Sequence, residues 1–314
     1  MASVCVIGEL NFDLIVLGAG RFPRPGEEMI VDEMVLTLGS SSAIIACQLA
    51  RLGDDVLFIS KVGGDDFGRS ALESLRKKGV STEAIMVDDS LDTGLTISVA
   101  IGGERAMMTV MGSIQELRYD DIDFELLKGR APAQHVHISS FFLQQNLRPD
   151  IWRIFQKARQ MGLTTSLDTG WPHDREQIAD LASVWPHLDV FLPNEVEAMA
   201  LSGRPTVEEA LPVLAEQVST VVVKLGAQGA VVQRGAEVLR QPSFVVDVVE
   251  TTGAGDSFNG GFIHGYMAGM DLAHCLDLGL ACGGLSTRAA GGTTTQPTLE
   301  EATEFIRTAA RRMG

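Results

Sequence analysis

Positive charge is scarce in this sequence: 25 Lys and Arg stand against 41 Asp and Glu, a formal net charge of −16. No stretch of basic residues is dense enough to reverse that field, which argues against nucleic acid and against an anionic membrane surface as partners. Cysteine is scarce too. Cys5, Cys47, Cys275 and Cys282 each sit in an apolar stretch and no C-x-x-C pair occurs, the pattern of reduced core thiols in a cytosolic protein. No apolar run reaches membrane-spanning length. The start, MASVCVIGEL, lacks the basic residues and long apolar stretch of a signal peptide, so the chain reads as soluble and cytoplasmic. Three signatures are missing as well. There is no G-x-x-x-x-G-K-[ST] P-loop and no G-x-S-x-G elbow, and Gly18-Ala19-Gly20 lacks the third glycine of a dinucleotide fingerprint. Repeats and low-complexity segments are absent.

What is present is an alternation. Of 314 residues, 45% are hydrophobic, ample for a sizeable core, and the length suits one large α/β domain over 1–314. Short Val/Ile/Leu runs at 4–10, 55–61, 134–139, 163–168, 188–192, 220–224 and 230–233 read as strands. Amphipathic stretches at 42–52, 67–78, 150–161, 194–202 and 207–217 read as helices between them. Near-continuous apolar strands belong to parallel sheets covered on both faces. The expectation is therefore a doubly wound, mostly parallel sheet covered by helices, with ligands beyond the carboxyl ends of its strands. Two stretches, 28–38 and 93–111, read as strands without a helix, the second with a hairpin turn at Gly102-Gly103-Glu104. They suggest a small separate β-sheet, with lid segments about 12–38 and 93–111; surface hairpins are the plainer alternative. Three helices, 254–268, 271–290 and 298–312, close the chain.

The strongest local signal is the run from Val249 to Asp256, in which an extended segment enters the small turn Gly253-Ala254-Gly255 and opens a helix. Unobstructed N–H groups at a helix N-terminus form an anion site. Asp256, in the first helical turn, either complements the dipole or serves as a general base beside a bound phosphate. Asn194 and Glu197 have capping-box spacing, and equally suit Mg²⁺ with its waters. Lys224, Gly226 and Gly229 make a strand–turn–strand that suits a tight turn or a nucleotide. Asn11 and Asp13 follow the first strand, as loop formers or as partners of substrate hydroxyls. Gly39, Ser40, Ser41 and Ser42 precede a helix, as an N-cap or as room for a ligand. His135 and His137 share a strand face without an acidic or Cys partner, and read as core. Asp168 ends a strand facing the cleft. Met107, Met108 and Met111 suit packing.

Laid out in this order, these motifs resemble those of the ribokinase-like (PfkB) carbohydrate kinase family over nearly the whole chain. The most specific is 251–258, TTGAGDSF, which is similar to the family's C-terminal signature. Gly39 through Ala46, then 49–53, the run 61–68 and Asn194-x-x-Glu197 match as well. The resemblance implies a doubly wound domain with a β-sheet lid, often shared in a homodimer, and transfer of phosphoryl from MgATP to a small-molecule hydroxyl, usually a sugar's. It implies Asp256 as catalytic base, Gly253, Ala254 and Gly255 as anion hole, and Lys224, Gly226 and Gly229 as ATP contacts. Asn194 and Glu197 match a Mg²⁺ and phosphate motif, with Glu197 acting through water. Asp13 matches a residue that binds substrate hydroxyls, beside Asn11, Gly39, Ser40 and Ser41.

Three departures stand out. Ser40 replaces the second glycine of a usual pair. Ile44 replaces an Asn whose amide would bond a sugar hydroxyl, which argues against a standard ribose or fructose substrate. Glu250 stands where an Asp is usual beside a monovalent-cation site, which leaves K⁺ open. Two other readings remain. One is a nucleoside kinase, with Ile44 and the Met-rich segment 107–111 lining an apolar pocket. The other is a non-catalytic ligand-binding regulator, against which the intact turn 253–256 argues. No basic residue at 40–42 favours a sugar phosphate.

Overall fold

Strand β1 (Ser3–Ile7) sets the architecture, because its alternate side chains feed two cores. Val4 and Val6 belong to one cluster and Cys5 and Ile7 to the other, all four fully buried. Such a strand needs helices on both faces of its sheet. The computed structural model describes residues 2–101, 104–129, 132–172 and 175–312. In chain order β1 is followed by β2 (Asn11–Leu17), β3 (Glu33–Leu38), α1 (Ser41–Arg51), β4 (Asp55–Gly63), α2 (Asp66–Lys77), β5 (Ile85–Asp88), β6 (Gly94–Ile101), β7 (Glu104–Val110) and β8 (His135–Ile138). Then come α3 (Ile151–Gln160), β9 (Thr164–Leu167), the single turns α4 (Arg175–Ile178) and α5 (Leu181–Val184), β10 (Val190–Phe191), α6 (Glu195–Ser202), α7 (Val207–Ala215), β11 (Thr220–Lys224), β12 (Ala230–Arg234) and β13 (Glu237–Gln241). Helices α8 (Ala254–Met267), α9 (Leu272–Ser286) and α10 (Leu299–Thr308) end the chain.

Nine strands form one sheet in the order β13-β12-β11-β10-β9-β8-β1-β4-β5. From β11 to β5 the pairings are parallel, while β12 pairs antiparallel with both neighbours. Helices α1, α8 and α9 pack one face, and α3 and α7 the other. The doubly wound expectation holds. So does the separate sheet, four strands in the order β3-β2-β6-β7, although Gly102 and Gly103 of the expected hairpin lie outside the described residues.

The departures have local causes. The strand read over 28–38 begins only at Glu33, the one read over 4–10 stops at Ile7, and β2, which carries Asn11 and Asp13, β5 and β13 escaped notice, β13 because it is largely exposed. The last helix stops at Thr308 rather than 312, because the tail pairs back: Val245 N donates to Ala310 O at 2.9 Å and Arg312 N to Ser243 O at 2.8 Å. His135 and His137 are core residues, fully buried in a chain of hydrogen bonds through Thr164, Ser166 and Ser139. All four cysteines are buried free thiols. No helix among the described residues is long and apolar enough to cross a membrane.

Candidate active site

The carboxyl ends of β1, β8, β9, β10 and β11 converge on one cleft, beside the point where strand order reverses. They deliver Glu9, Ser140, Asp168, Asn194 and Lys224 to it. Helix α8 meets these ends with its N-terminus. Gly253 starts it at φ 74°, a left-handed conformation that favours glycine. A Cβ there would also lie 2.8 Å from the Gly292 Cα and 2.9 Å from Ile44 Cδ1, so glycine is required twice over. No side chain caps α8; Ala254 N donates to Thr251 O at 3.2 Å, and the N–H groups of Gly255 and Asp256 that follow it remain available to an anion.

Asp256 stands in that first turn, half-buried. Burial, then the negative charge of Asp168, push its carboxyl up to about 7; Lys224 and Ser41 pull the other way, and Glu9 adds to the rise. Beneath the turn lies an ion pair. Lys224 Nζ donates to Asp168 Oδ2 at 2.6 Å and to Asn259 Oδ1 at 3.1 Å, and Asn259 Nδ2 donates to the same Asp168 oxygen at 2.6 Å. Burial works against both charges, yet mutual attraction prevails: Asp168 is held below the usual carboxylate range and Lys224 above the usual ammonium value. A Cβ on Gly255 would lie 3.7 Å from Lys224 Nζ, so the ammonium supports the turn from below.

Asn194 and Glu197 form the capping box of α6: Asn194 Oδ1 accepts from Glu197 N at 2.9 Å and Glu197 Oε2 from Asn194 N at 2.9 Å. Glu197 does more than cap. Burial and the neighbouring Asp168 push its carboxyl up to about 7, the mark of a site short of positive charge. That deficit fits Mg²⁺, which takes one or two carboxylates, several waters and substrate phosphates rather than a full protein cage. Among the described residues no three His, Cys, Asp or Glu side chains come together as such a cage.

Beside the turn opens a pocket of about 250 Å³. Lys224, Gly226, Gly229, Phe244, Gly255 and Phe258 are among its lining residues. Its largely apolar wall next to an uncapped helix N-terminus suits a base attached to phosphates. Lys224, Gly226 and Gly229 thus come together here, with Asn194 bridged to Lys224.

On the opposite side Asn11, Asp13 and Gly39 touch. Asn11 Nδ2 donates to Asp13 Oδ1 at 3.1 Å, and a Cβ on Gly39 would fall 2.1 Å from that oxygen. Ser40 adopts φ 71° and caps α1, accepting from Ala43 N at 3.0 Å. Two expected contributions do not reach this side. Ile44 is 2% exposed and packs against Gly253 and Gly292, and Met107 and Met108 point into solvent from β7. Glu250 folds onto its own turn, accepting from Thr252 N at 2.7 Å and Thr252 Oγ1 at 2.6 Å. Glu9, Ser140 and Asn259 were not anticipated. The one visible signal was a charged Glu9 inside the apolar run 4–10.

Comparison with known proteins agrees with this geometry. Residues 1–299 match the pfkB family of carbohydrate kinases. The chain is 30% identical over 231 residues to an uncharacterized sugar kinase of Archaeoglobus fulgidus, covering 74% of this chain and 90% of the relative. It is 28% identical over 313 residues to the ribokinase of Haemophilus influenzae, covering 97% and 98% of the two chains. A solved E. coli protein assigned as a ribokinase II, in complex with ATP and Mg²⁺, superposes with a TM-score of 0.83 at 27% identity, over 98% of this chain and 99% of that one. The chain belongs to the PfkB family of carbohydrate kinases, phosphotransferases that use an alcohol group as acceptor.

Proposed function

From a PfkB-family fold, we propose that this chain transfers the γ-phosphoryl of MgATP to a hydroxyl of an uncharged, sugar-like small molecule, with Asp256 as general base. The observation that carries the proposal is Asp256 itself, a carboxyl held up to about 7 within the first turn of an uncapped helix. A base is most effective when its proton affinity lies near the working pH. Asp256 takes the proton of the attacking hydroxyl. The turn Gly253-Ala254-Gly255, with the N–H groups that open α8, offsets charge on the transferred group. Lys224, locked by Asp168 and Asn259, holds that turn rigid. Phe244 and Phe258 receive the base of the nucleotide, with Gly226 and Gly229 beside them. Glu197 and Asn194 hold Mg²⁺ through water; when bound, the ion neutralises phosphate charge.

Asn11, Asp13, Gly39, Ser40 and Ser41 bind the acceptor. The carboxyl groups of Glu9 and Asp256 border this side, and positions 40–42 are all serine, which disfavours a phosphorylated acceptor. Ile44 packed behind Gly253 removes the main support for a nucleoside. For K⁺, Thr252 N and Oγ1 already take up Glu250 Oε1, so a small K⁺ activation is expected.

The lid supports a homodimer. By register Leu36, Leu14, Ile97 and Met108 form one apolar row across its four strands, and Met34, Leu36, Met108 and Val110 are all more than half exposed. On a chain of charge −16, this uncharged face is where a second copy approaches with least repulsion.

The test is ADP release from MgATP against pentoses, hexoses, keto-acid sugars and nucleosides. Selective turnover with one neutral sugar supports the proposal. Turnover confined to nucleosides, or to sugar phosphates added to the same panel, overturns the acceptor class. ATP binding without turnover anywhere favours a ligand-binding regulator.

A further inference from the structure

Basic side chains are the minority charge in this chain, 25 against 41 acidic, yet three of them line a single cavity of about 330 Å³. Arg51 comes from the last turn of α1, Lys77 from the last turn of α2 and Lys78 from the C-cap of α2. Thr293, Thr294 and Gln296 come from the connection between α9 and α10, and no described lining residue is acidic. The cavity shares no described lining residue with the pocket beside Lys224. Basic residues at helix C-termini complement the dipole. That accounts for each position by itself, but not for two helix ends converging on one opening.

The charges are available to a guest. Lys77 pairs with Glu73 at 2.7 Å and Arg51 with Glu301 at 3.7 Å, but all four side chains are more than half exposed, and such pairs hold weakly. Lys78 is half-buried and, among the described residues, has no acidic partner; its Nζ donates to Thr293 O at 2.9 Å. Arg51 Nε donates to Gln296 O at 3.3 Å. These carbonyl oxygens orient two cations without neutralising them. Both carbonyls belong to one stretch, 291–296, that runs on to the candidate active site. Gln296 Nε2 donates to Ile44 O at 2.8 Å and to Ser257 Oγ at 3.1 Å, and a Cβ on Gly253 would lie 2.8 Å from Gly292 Cα.

We propose that this cavity is a second anion site, which takes a small dianion of the phosphate class between Lys78, Lys77 and Arg51 and steadies the stretch 291–296 behind the turn 253–255. The chemistry follows from the lining: three cationic side chains converge, and no carboxylate lines the cavity to repel the guest. On a chain of charge −16, such an opening concentrates anions against the overall field. Its volume leaves room for the ion and several waters, each of about 30 Å³. The site does not depend on Asp256 being the base.

The experiment is hydrogen–deuterium exchange of the full chain, read by mass spectrometry, in sodium phosphate against sodium chloride at equal ionic strength and pH. Phosphate is expected to slow exchange in 291–296 and at the end of α2 together, by about threefold at a concentration twice its dissociation constant. Lys77→Gln combined with Lys78→Gln removes two charges and is expected to abolish both effects. Slowing at 253–256, from phosphate on the N-terminus of α8, is expected to survive in that double variant. Exchange in 291–296 that phosphate leaves unchanged overturns the proposal. So does slowing there that persists in the double variant, because it would come from an anion at the turn 253–255 felt through Gly292. Should the double variant not fold, Lys77→Gln alone, at an exposed side chain, is expected to raise the phosphate concentration required by about threefold or more. An unchanged requirement in that variant overturns the proposal instead.

Discussion

Lys224 and Asp168 meet at 2.6 Å beneath the first turn of α8, and Asn259 bonds them both. The pair is nearly enclosed, with 12% and 8% of the two side chains exposed. Lys224 also lines the apolar pocket beside it, so one side chain joins the sheet, the turn 253–255 and the pocket wall. Removing one partner strands the other charge, which costs about 3–5 kcal/mol for a buried pair. Urea unfolding of Lys224→Met is expected to show a loss of that order, and pairing it with Asp168→Leu is expected to recover part. A loss below about 1 kcal/mol would mean that water reaches and relieves the stranded carboxylate.

Asp256→Asn is expected to lower kcat by at least about 10², while calorimetry still detects MgATP binding. The same variant makes a stability prediction. The wild-type carboxyl holds its proton more tightly folded, up to about 7, than at its ordinary 3.8. Its favourable contribution is thus complete below about pH 4 and lost as pH rises through about 7. At pH 8 the wild type carries a half-buried charge that the amide lacks. Asp256→Asn is therefore expected to be more stable at pH 8 by roughly 1–3 kcal/mol, and level with the wild type near pH 4. Equal melting temperatures at pH 8 would contradict the raised proton affinity.

Ser40 combines a left-handed backbone with a cap and a bond to the Glu9 carbonyl. Glycine at an N-cap costs only a few tenths of a kcal/mol relative to serine and relieves strain of about 1–3 kcal/mol. Thermal melts are expected to place Ser40→Gly level with or above the wild type. Ser40→Ala keeps the strain and loses both bonds, and is expected to fall by about 1–3 kcal/mol.

The Glu250 carboxylate already ties its turn through Thr252. Replacing Na⁺ by K⁺ is expected to change turnover less than about threefold. Glu250→Asp is expected to gain K⁺ dependence, because the shorter carboxylate withdraws from Thr252 and leaves the turn for an oxygen-seeking cation to organise. Strong K⁺ activation of the wild type would contradict this role for Glu250.

A charge in the apolar row of the lid should separate the two copies of a homodimer. Leu36→Glu or Met108→Glu is expected to halve the mass found by light scattering, with helical content unchanged. A wild-type monomer at micromolar concentration would end the dimer proposal.

Much of this protein was legible in its residues. Apolar runs and amphipathic stretches determined the alternation of strand and helix, since periodicity reflects which face each element must bury. Glycine at 253 could be read as a turn and Asp256 as a group in the first turn of a helix, because backbone conformation and helix termini are local matters. The tertiary structure decided the rest. Ile44 reads as a pocket residue until α1 packs against Gly253 and Gly292. The pairing of β12 with β13 depends on an exposed strand whose own pattern is weak. Asp168 and Lys224, 56 positions apart, become an ion pair only because β9 and β11 flank β10 in the sheet. Glu9 owes its setting to Ser42 and to Ser140, 131 positions away, and the proton affinity of Asp256 depends on burial and charges that only folding assembles. Local conformation follows from neighbouring residues in the chain; burial and electrostatic environment follow from neighbours in space.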